Sequence, residues 1–286
     1  MSTCAAGERD SLRCMTGPPS TACVVEVADL TRRFGSLVAV DRVNFQVAAG
    51  EVFGLIGANG AGKSTIIKML TTLLPPTAGI ARVAGYDTVR NAAEVRRHIG
   101  YVPQLLSADG SLTAWENLLL SARLYGVPPG EVAPRITRAL TAMELMPFAH
   151  HLVQGFSGGM VRRLEIAQSL LHRPAVLFLD EPTVGLDPVA RHAVLDHVAE
   201  LRQRVGTTVV VTSHYMEEIE VLCDRLAVLS HGRLVAAGTP AELKARVGPA
   251  ATLDDVFAAL AGGTETEAEA GLAEVRHTRR AARTHG

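Results

Sequence analysis

The most informative stretch of the sequence is residues 57–65, which read Gly-Ala-Asn-Gly-Ala-Gly-Lys-Ser-Thr and fit the pattern GxxxxGK[ST]. Glycines let a backbone curl until successive N–H groups face phosphate oxygens, and the N-terminus of a following helix adds a positive dipole. We expect Lys63 to neutralise charge on the β and γ phosphates and the Ser64 hydroxyl to hold Mg²⁺. The residues predicted to bind nucleotide here are Gly57, Asn59, Gly60, Gly62, Lys63, Ser64 and Thr65.

Two adjacent carboxylates, Asp180 and Glu181, follow an apolar run that begins at Ala175. Successive side chains of an extended chain point in opposite directions, so the two groups can do different work. Asp180 is suited to orient Mg²⁺, and Glu181 is suited to polarise an attacking water molecule. Together with the phosphate-binding loop, this pair predicts hydrolysis of a nucleotide.

Strands and helices that alternate along the chain must position these residues. Apolar strands at 52–57 and 175–180 precede helices at about 62–74 and 188–204. Continuous apolar runs indicate strands buried on both faces, and strand–helix alternation indicates a mainly parallel sheet. The predicted fold is therefore α/β, of the P-loop NTPase kind.

Two further segments interrupt this α/β pattern. Residues 23–47 alternate apolar and polar side chains, which predicts an antiparallel β lobe. Helical periodicity from about 105 to 172 predicts an inserted helical subdomain. We expect an ATPase domain at 23–248, a short helix at 249–262, and flexible extensions at 1–22 and 263–286.

The composition excludes several classes of protein. The formal net charge is −1, with 28 Lys and Arg against 29 Asp and Glu, so nucleic acid is not an expected partner. No apolar run approaches the roughly 18 residues needed to cross a bilayer, and residues 1–22 lack a signal-peptide core. The four cysteines form no CxxC pair, which favours a reducing cytoplasm over a zinc site.

A Ser-Gly-Gly turn at Ser157, Gly158 and Gly159 opens a helix shortly before the carboxylate strand. With this turn the chain resembles the nucleotide-binding subunit of the ATP-binding cassette (ABC) family, whose motifs it carries in order across residues 23–248. The resemblance implies that these three residues bind the γ-phosphate held by a partner subunit.

The same resemblance assigns roles to four single residues. Gln104 matches the loop residue that touches Mg²⁺, and Asp187 matches the loop that crosses the dimer interface. His214 matches the switch histidine at the γ-phosphate, and Phe34 matches the aromatic side chain that stacks on adenine. The catalytic set implied is Glu181, His214 and Gln104, and the Mg²⁺ set is Ser64, Gln104 and Asp180.

The signature differs from the family's commonest sequence, Leu-Ser-Gly-Gly-Gln, at Phe156 and Met160. Met160 stands where the commonest sequence has glutamine, so the side-chain amide that could form a hydrogen bond near the nucleotide is absent. Turnover or dimer stability is therefore expected to differ from that of subunits that carry the glutamine. Residues 232–247 and 253–257 resemble the daunorubicin-resistance type of exporter subunit. That resemblance implies export of a drug, antibiotic or lipid-like compound.

The resemblance also implies partners. The chain carries the Lys63 loop and the Ser157 turn once each, and only a closed dimer brings the two together around one γ-phosphate. We therefore expect a head-to-tail homodimer, or a dimer with a related ATPase subunit. A separate polytopic permease is the expected membrane partner, which places this chain at the cytoplasmic face of the membrane. A soluble ABC ATPase acting on ribosomes or DNA, and an importer subunit, are the alternatives.

Overall fold

The computed structural model describes residues 23–261. The extensions predicted at 1–22 and 263–286 lie outside the described residues. The strands are β1 Cys23–Phe34, β2 Leu37–Ala48, β3 Val52–Ile56, β4 Ala78–Val83, β5 Tyr86–Asp87, β6 Ile99–Val102, β7 Val176–Asp180, β8 Thr208–Ser213, β9 Arg225–Ser230 and β10 Arg233–Gly238. The helices are α1 Lys63–Leu70, α2 Ala92–His98, α3 Ala114–Leu124, α4 Pro129–Ala142, α5 Gly158–Leu170, α6 Pro188–Val205, α7 Met216–Leu222, α8 Pro240–Val247 and α9 Leu253–Ala261.

Two sheets form the framework. The larger has the strand order β10-β9-β3-β8-β7-β6, and its strands are parallel except for β10, which runs antiparallel to β9. The smaller is antiparallel, in the order β2-β1-β4-β5. The predicted α/β class, with a mainly parallel core and an antiparallel lobe, is confirmed.

The parallel sheet is buried on both faces, as its continuous apolar strands predict. In β7, Leu177 and Leu179 join the apolar cluster that includes α5, α6 and α7, whereas Val176 and Phe178 join the cluster formed with α1 and the antiparallel lobe. The strand ends that carry the predicted site are therefore anchored by two separate cores.

Helix α1 ends earlier than the sequence predicts. The expected helix spans 62–74, but α1 stops at Leu70. The Thr71 hydroxyl bonds back to the carbonyl of Ile67 at 2.9 Å, and Thr72 adopts a left-handed conformation with φ 65°. The amides of residues 73 and 74 then both bond to the carbonyl of Lys68, which closes the helix.

Helices α3, α4 and α5 fall within the segment predicted as a helical subdomain. Thr113 closes a capping box with Glu116 at the start of α3, and Ser157 caps α5 by accepting from the amide of Met160 at 3.3 Å. Helix α9 lies within the segment predicted as a last short helix, with Leu253 and Val256 buried. Within residues 23–261, no helix is long and apolar enough to cross a bilayer.

Gly100 in β6 packs closely against the backbone of α5. A Cβ at this position would lie 2.6 Å from the carbonyl oxygen of Ser169. We expect Gly100→Ala to lower the free energy of unfolding by about 1–3 kcal/mol, because a backbone must shift to admit the methyl group. Urea unfolding followed by circular dichroism measures this change.

Gly130→Ala is the control for that variant. Gly130 lies in the first turn of α4, where an added Cβ meets nothing within 4 Å. Because alanine favours helix over glycine, this change should leave stability unaltered or raise it by up to about 1 kcal/mol. Equal stabilities for the two variants would contradict the close packing of β6 on α5.

Candidate functional site

The predicted site residues converge where the strands of the parallel sheet end. The phosphate-binding loop follows β3, Gln104 follows β6, Glu181 follows β7 and His214 follows β8. Carboxyl ends of parallel strands meet at one edge of a sheet, which is where α/β proteins bind ligands. Contacts between side chains show that the edge is a single cluster.

Lys63, the first residue of α1, is buried and fully engaged. Its ammonium group donates to the carbonyls of Gly57 and Ala58 at 2.8 and 3.2 Å. The same Nζ lies 3.2 Å from Oε1 of Glu181, and both side chains are nearly inaccessible to solvent. The loop therefore already holds a positive charge at the point where the sequence predicts phosphate.

Glu181 occupies an unusual backbone conformation, with φ 47°. Its amide donates to the hydroxyl of Thr212 at 2.8 Å, which holds the turn beyond β7. Its Oε2 accepts from Nε2 of Gln104 at 3.0 Å and lies 3.6 Å from Nδ1 of His214. A left-handed conformation is costly for a residue with a side chain, and such strain concentrates at functional sites.

Asp180 lies beside the loop at the end of β7. Its Oδ1 accepts from the hydroxyl of Ser64 at 3.0 Å and from the hydroxyl of Thr212 at 2.8 Å. Carboxylate, hydroxyl and amide oxygens are the donors that Mg²⁺ prefers, so Asp180, Ser64 and the nearby Gln104 fit this ion chemically. Burial, together with the charge of Asp180, raises the pKa of Tyr101 to about 12.

The loop is also closely packed from behind. Gly62 has φ 107°, and a Cβ there would lie 2.7 Å from the carbonyl of Ala39 in β2. The backbone of Gly232 forms hydrogen bonds with both segments: its amide donates to the carbonyl of Ala61 in the loop, and its carbonyl accepts from the amide of Asp41 in β2. Gly232, which precedes β10, thus links the predicted phosphate-binding loop to β2 of the antiparallel lobe.

The Ser157 turn lies apart from this cluster. Among residues 23–261, no hydrogen bond or ion pair joins it to the Lys63 loop. It packs instead on the loop that carries Asp187, because Cβ atoms added at Gly158 and Gly159 would lie 3.2 Å from Leu186 and 2.7 Å from Ala190. The structure therefore brings together the predicted signature and interface loops, but not the two predicted phosphate sites.

Met160 and Phe34 have environments that the sequence left open. The Met160 side chain is half-buried against the apolar core, so it contributes to packing where the commoner glutamine would be polar. Phe34 lies at the tip of the β1–β2 hairpin, 45% exposed, with the guanidinium of Arg32 4.6 Å from its ring centroid. One face of the ring is therefore already engaged by a cation.

Sequence reasoning missed a buried carboxylate that joins the turn beyond β7, the end of β8 and helix α6. Glu218 in α7 accepts from the hydroxyls of Thr183 at 2.8 Å and Ser213 at 3.2 Å, and lies 3.3 Å from Nε of Arg191. The guanidinium of Arg191 also lies 4.1 Å from the ring centroid of Tyr215. Only the position of Glu218 four residues after His214 could have suggested this contact, and that spacing is common in any sequence.

Comparison with known proteins gives concordant results. The family model described as "ABC transporter" matches residues 40–184. The chain is 40% identical over 225 residues to the linearmycin resistance ATP-binding protein LnrL of Bacillus subtilis, covering 79% of this chain and 72% of that protein. It is 44% identical over 224 residues to the daunorubicin/doxorubicin resistance ATP-binding protein DrrA of Streptomyces peucetius, covering 78% and 68%.

Solved structures show the same fold. The ATP-binding subunit of an ABC transporter superposes with a TM-score of 0.74 at 32% identity, covering 83% of this chain and 99% of that chain. The ATP-binding cassette MJ0796, solved as a dimer in a post-hydrolysis state bound to ADP and Pi, superposes with a TM-score of 0.67 at 28% identity, covering 75% and 98%.

Thr212 provides a test of how the Glu181 turn is held. We expect Thr212→Val to lower the free energy of unfolding by about 1–3 kcal/mol, because the buried amide of Glu181 loses its acceptor. Thr212→Ser keeps the hydroxyl and should retain most of the stability. Chemical denaturation of both variants measures the difference, and a loss in Thr212→Ser as large as that in Thr212→Val would contradict the dominant role of the hydroxyl.

Proposed function

The chain belongs to the ABC transporter family, and from that premise we propose that it hydrolyses ATP to power export of a drug, antibiotic or lipid-like compound through a separate permease. Its membership supports ATP binding and hydrolysis. The names of its relatives, which refer to resistance against linearmycin and daunorubicin, support the class of cargo. The contact between Lys63, Glu181 and Gln104 at the sheet edge is the observation that carries the proposal.

In the proposed reaction the triphosphate of ATP competes with Glu181 for Lys63. The β and γ phosphates replace the carboxylate near Nζ, and the carboxylate becomes available to accept a proton from the attacking water. Gln104 and His214 already lie beside Oε2 of Glu181, so they are placed to orient that water and contact the γ-phosphate.

Ser64, Gln104 and Asp180 would hold Mg²⁺, which when bound stabilises charge on the phosphate oxygens. The backbone amides of the loop supply further donors to phosphate through Gly57, Asn59, Gly60, Gly62 and Thr65. Phe34 would stack on adenine with its free ring face, or after displacement of Arg32.

A second copy completes the site in this proposal. The Ser157 turn starts a helix of 13 residues, and among the described residues no hydrogen bond joins this turn to the Lys63 loop of the same chain. A neighbour's γ-phosphate would bind at this turn, with Gly158 and Gly159 giving close access and Asp187 crossing the interface. ATP then favours the closed dimer. To shift the population from about 1% closed to about 99% closed, ATP must bind the closed state more tightly than the open state by roughly 5.5 kcal/mol.

The surface of the segment predicted as a helical subdomain is the proposed docking face for the permease. Leu105 and Leu106, which follow Gln104 directly, are 81% and 50% exposed, and Leu124 at the end of α3 is 78% exposed. Apolar side chains at the surface beside the site suit a protein partner. We propose that the chain works at the cytoplasmic face of the membrane, with an ATPase domain at 23–248 and a helical subdomain at 105–172.

Glu181→Gln tests the hydrolytic role and the dimer together. We expect this variant to bind ATP at least as tightly as the wild type, because removing the carboxylate's charge frees Lys63 for phosphate. Hydrolysis should fall at least about a hundredfold, because the amide cannot accept a proton from water. A stable dimer should then appear with ATP in size-exclusion chromatography coupled to light scattering.

Lys63→Met in the Glu181→Gln background is the matched control. It removes the grip on phosphate, so ATP should no longer drive dimerisation. If the single variant binds ATP but stays monomeric at every ATP concentration, the two-copy site is wrong.

Co-purification tests the membrane role. Tagged chain expressed in its native host and extracted in detergent should bring down a polytopic membrane protein in stoichiometric amount. We expect the partner to persist at high salt, since apolar contacts are not screened. Recovery of ribosomes or DNA instead, without such a partner, would contradict the export proposal.

A further inference from the structure

A buried ion pair on α5 has no role in the reaction described above. Arg162 and Glu165 are 1% and 3% exposed, lie one helical turn apart, and are joined by a 2.9 Å contact between Nη1 and Oε2. Burying two charges costs several kcal/mol per ion before pairing, and replacing such pairs with apolar residues is often neutral or stabilising. Nε of Arg162 also has no hydrogen-bond partner in the part of the chain that the structure describes. Stability alone is therefore a weak reason for this pair.

Both side chains hold the segment 103–108, which we name the Gln104 loop. Arg162 donates from Nη1 to the carbonyl of Pro103 at 2.6 Å and from Nη2 to the carbonyl of Gln104 at 2.7 Å. Oε1 of Glu165 accepts from the amide of Ser107, from its hydroxyl at 3.0 Å and from the next amide at 3.3 Å. The two ends of the loop are thus fixed to a single turn of one helix.

The loop in turn places one side chain of the site. Gln104, whose carbonyl Arg162 holds, donates its side-chain amide to Oε2 of Glu181 at 3.0 Å. A hydrogen bond weakens steeply when its geometry is lost, so a shift of about 1 Å in this backbone would separate the two side chains. The planar guanidinium, with donors in a fixed fork, is suited to fix two successive carbonyls at once.

We propose that Arg162 and Glu165 are positioning residues that make the Gln104 loop and α5 one rigid unit. The proposal rests on the ATPase function above and deepens it. Because α5 begins at the Ser157 turn, any movement of the permease that displaces the exposed Leu105 and Leu106 is transmitted to the turn that meets the neighbour's phosphate. Gln104 and the Ser157 turn then take up their working positions together.

The double variant Arg162→Met/Glu165→Leu separates positioning from stability. It removes both charges and keeps the apolar volume, so the unfolding temperature should match or exceed that of the wild type. The carbonyls of the Gln104 loop lose their donors, however, and kcat for ATP hydrolysis should fall about 10- to 100-fold, as misplacement of a reacting group commonly causes. KM for ATP should stay within about twofold, because the Lys63 loop is unchanged.

A second ion pair provides the matched control. Arg135 on α4 bonds to Glu131 at 2.6 Å and donates to the carbonyl of Leu171 at 2.7 Å, far from the Gln104 loop in sequence. The variant Arg135→Met/Glu131→Leu removes contacts of the same kinds, and we expect its kcat to equal that of the wild type. An equal loss of kcat in both double variants would overturn the proposal.

Ser107→Pro tests the proposal from the loop side and keeps the buried pair intact. Ser107 is exposed, so the variant should fold, but it lacks the amide that bonds to Glu165. We expect kcat to fall several-fold at unchanged KM. If wild-type protein hydrolyses ATP and both the α5 double variant and Ser107→Pro retain wild-type kcat, the positioning role is wrong and the proposed function stands. If wild-type protein itself neither binds nor hydrolyses ATP, the proposed function fails.

Discussion

The buried contact between Lys63 and Glu181 is the interaction on which the site depends. A lysine that must grip a triphosphate has to keep its charge ready in a place with little water, and an unpaired ammonium there would be very costly. Two loop carbonyls and the carboxylate of Glu181 meet this need at 2.8–3.2 Å. Under the proposed function, the residue suited to activate water would therefore also be the one that occupies the lysine, and ATP binding would release it.

Much of the remaining structure holds that carboxylate in position. Its left-handed backbone is fixed by Thr212 from the neighbouring strand, and the next loop is fixed by Glu218 from α7. The Gln104 side chain reaches it from the other neighbouring strand. Hydrogen bonds inside a protein are stronger than in water and costly to leave unmade, so such a network favours one geometry. The parallel sheet provides the strand ends at which these contacts meet.

The sequence predicted those parts of the site whose signals are local. The phosphate-binding loop, the two carboxylates and the apolar strands each occupy a short stretch, so the fold class could be deduced and is confirmed by the sheet order. The supporting residues could not be found, because their partners are distant: Glu165 meets Ser107 across 58 positions, and Glu181 meets Thr212 across 31. The early end of α1 was missed because backbone bonds to Lys68, rather than any glycine, close that helix.

The close packing of Gly159 on Ala190 has an evolutionary consequence. A Cβ added at Gly159 would lie only 2.7 Å from the Cβ of Ala190, so Gly159 has no room to enlarge while Ala190 keeps its methyl group in place. Substitutions at these two sites should therefore arise as compensating pairs, so that descendants of this gene carry at least one very small residue across the seam. This seam therefore limits how far the first turns of α5 and α6 can vary independently of each other.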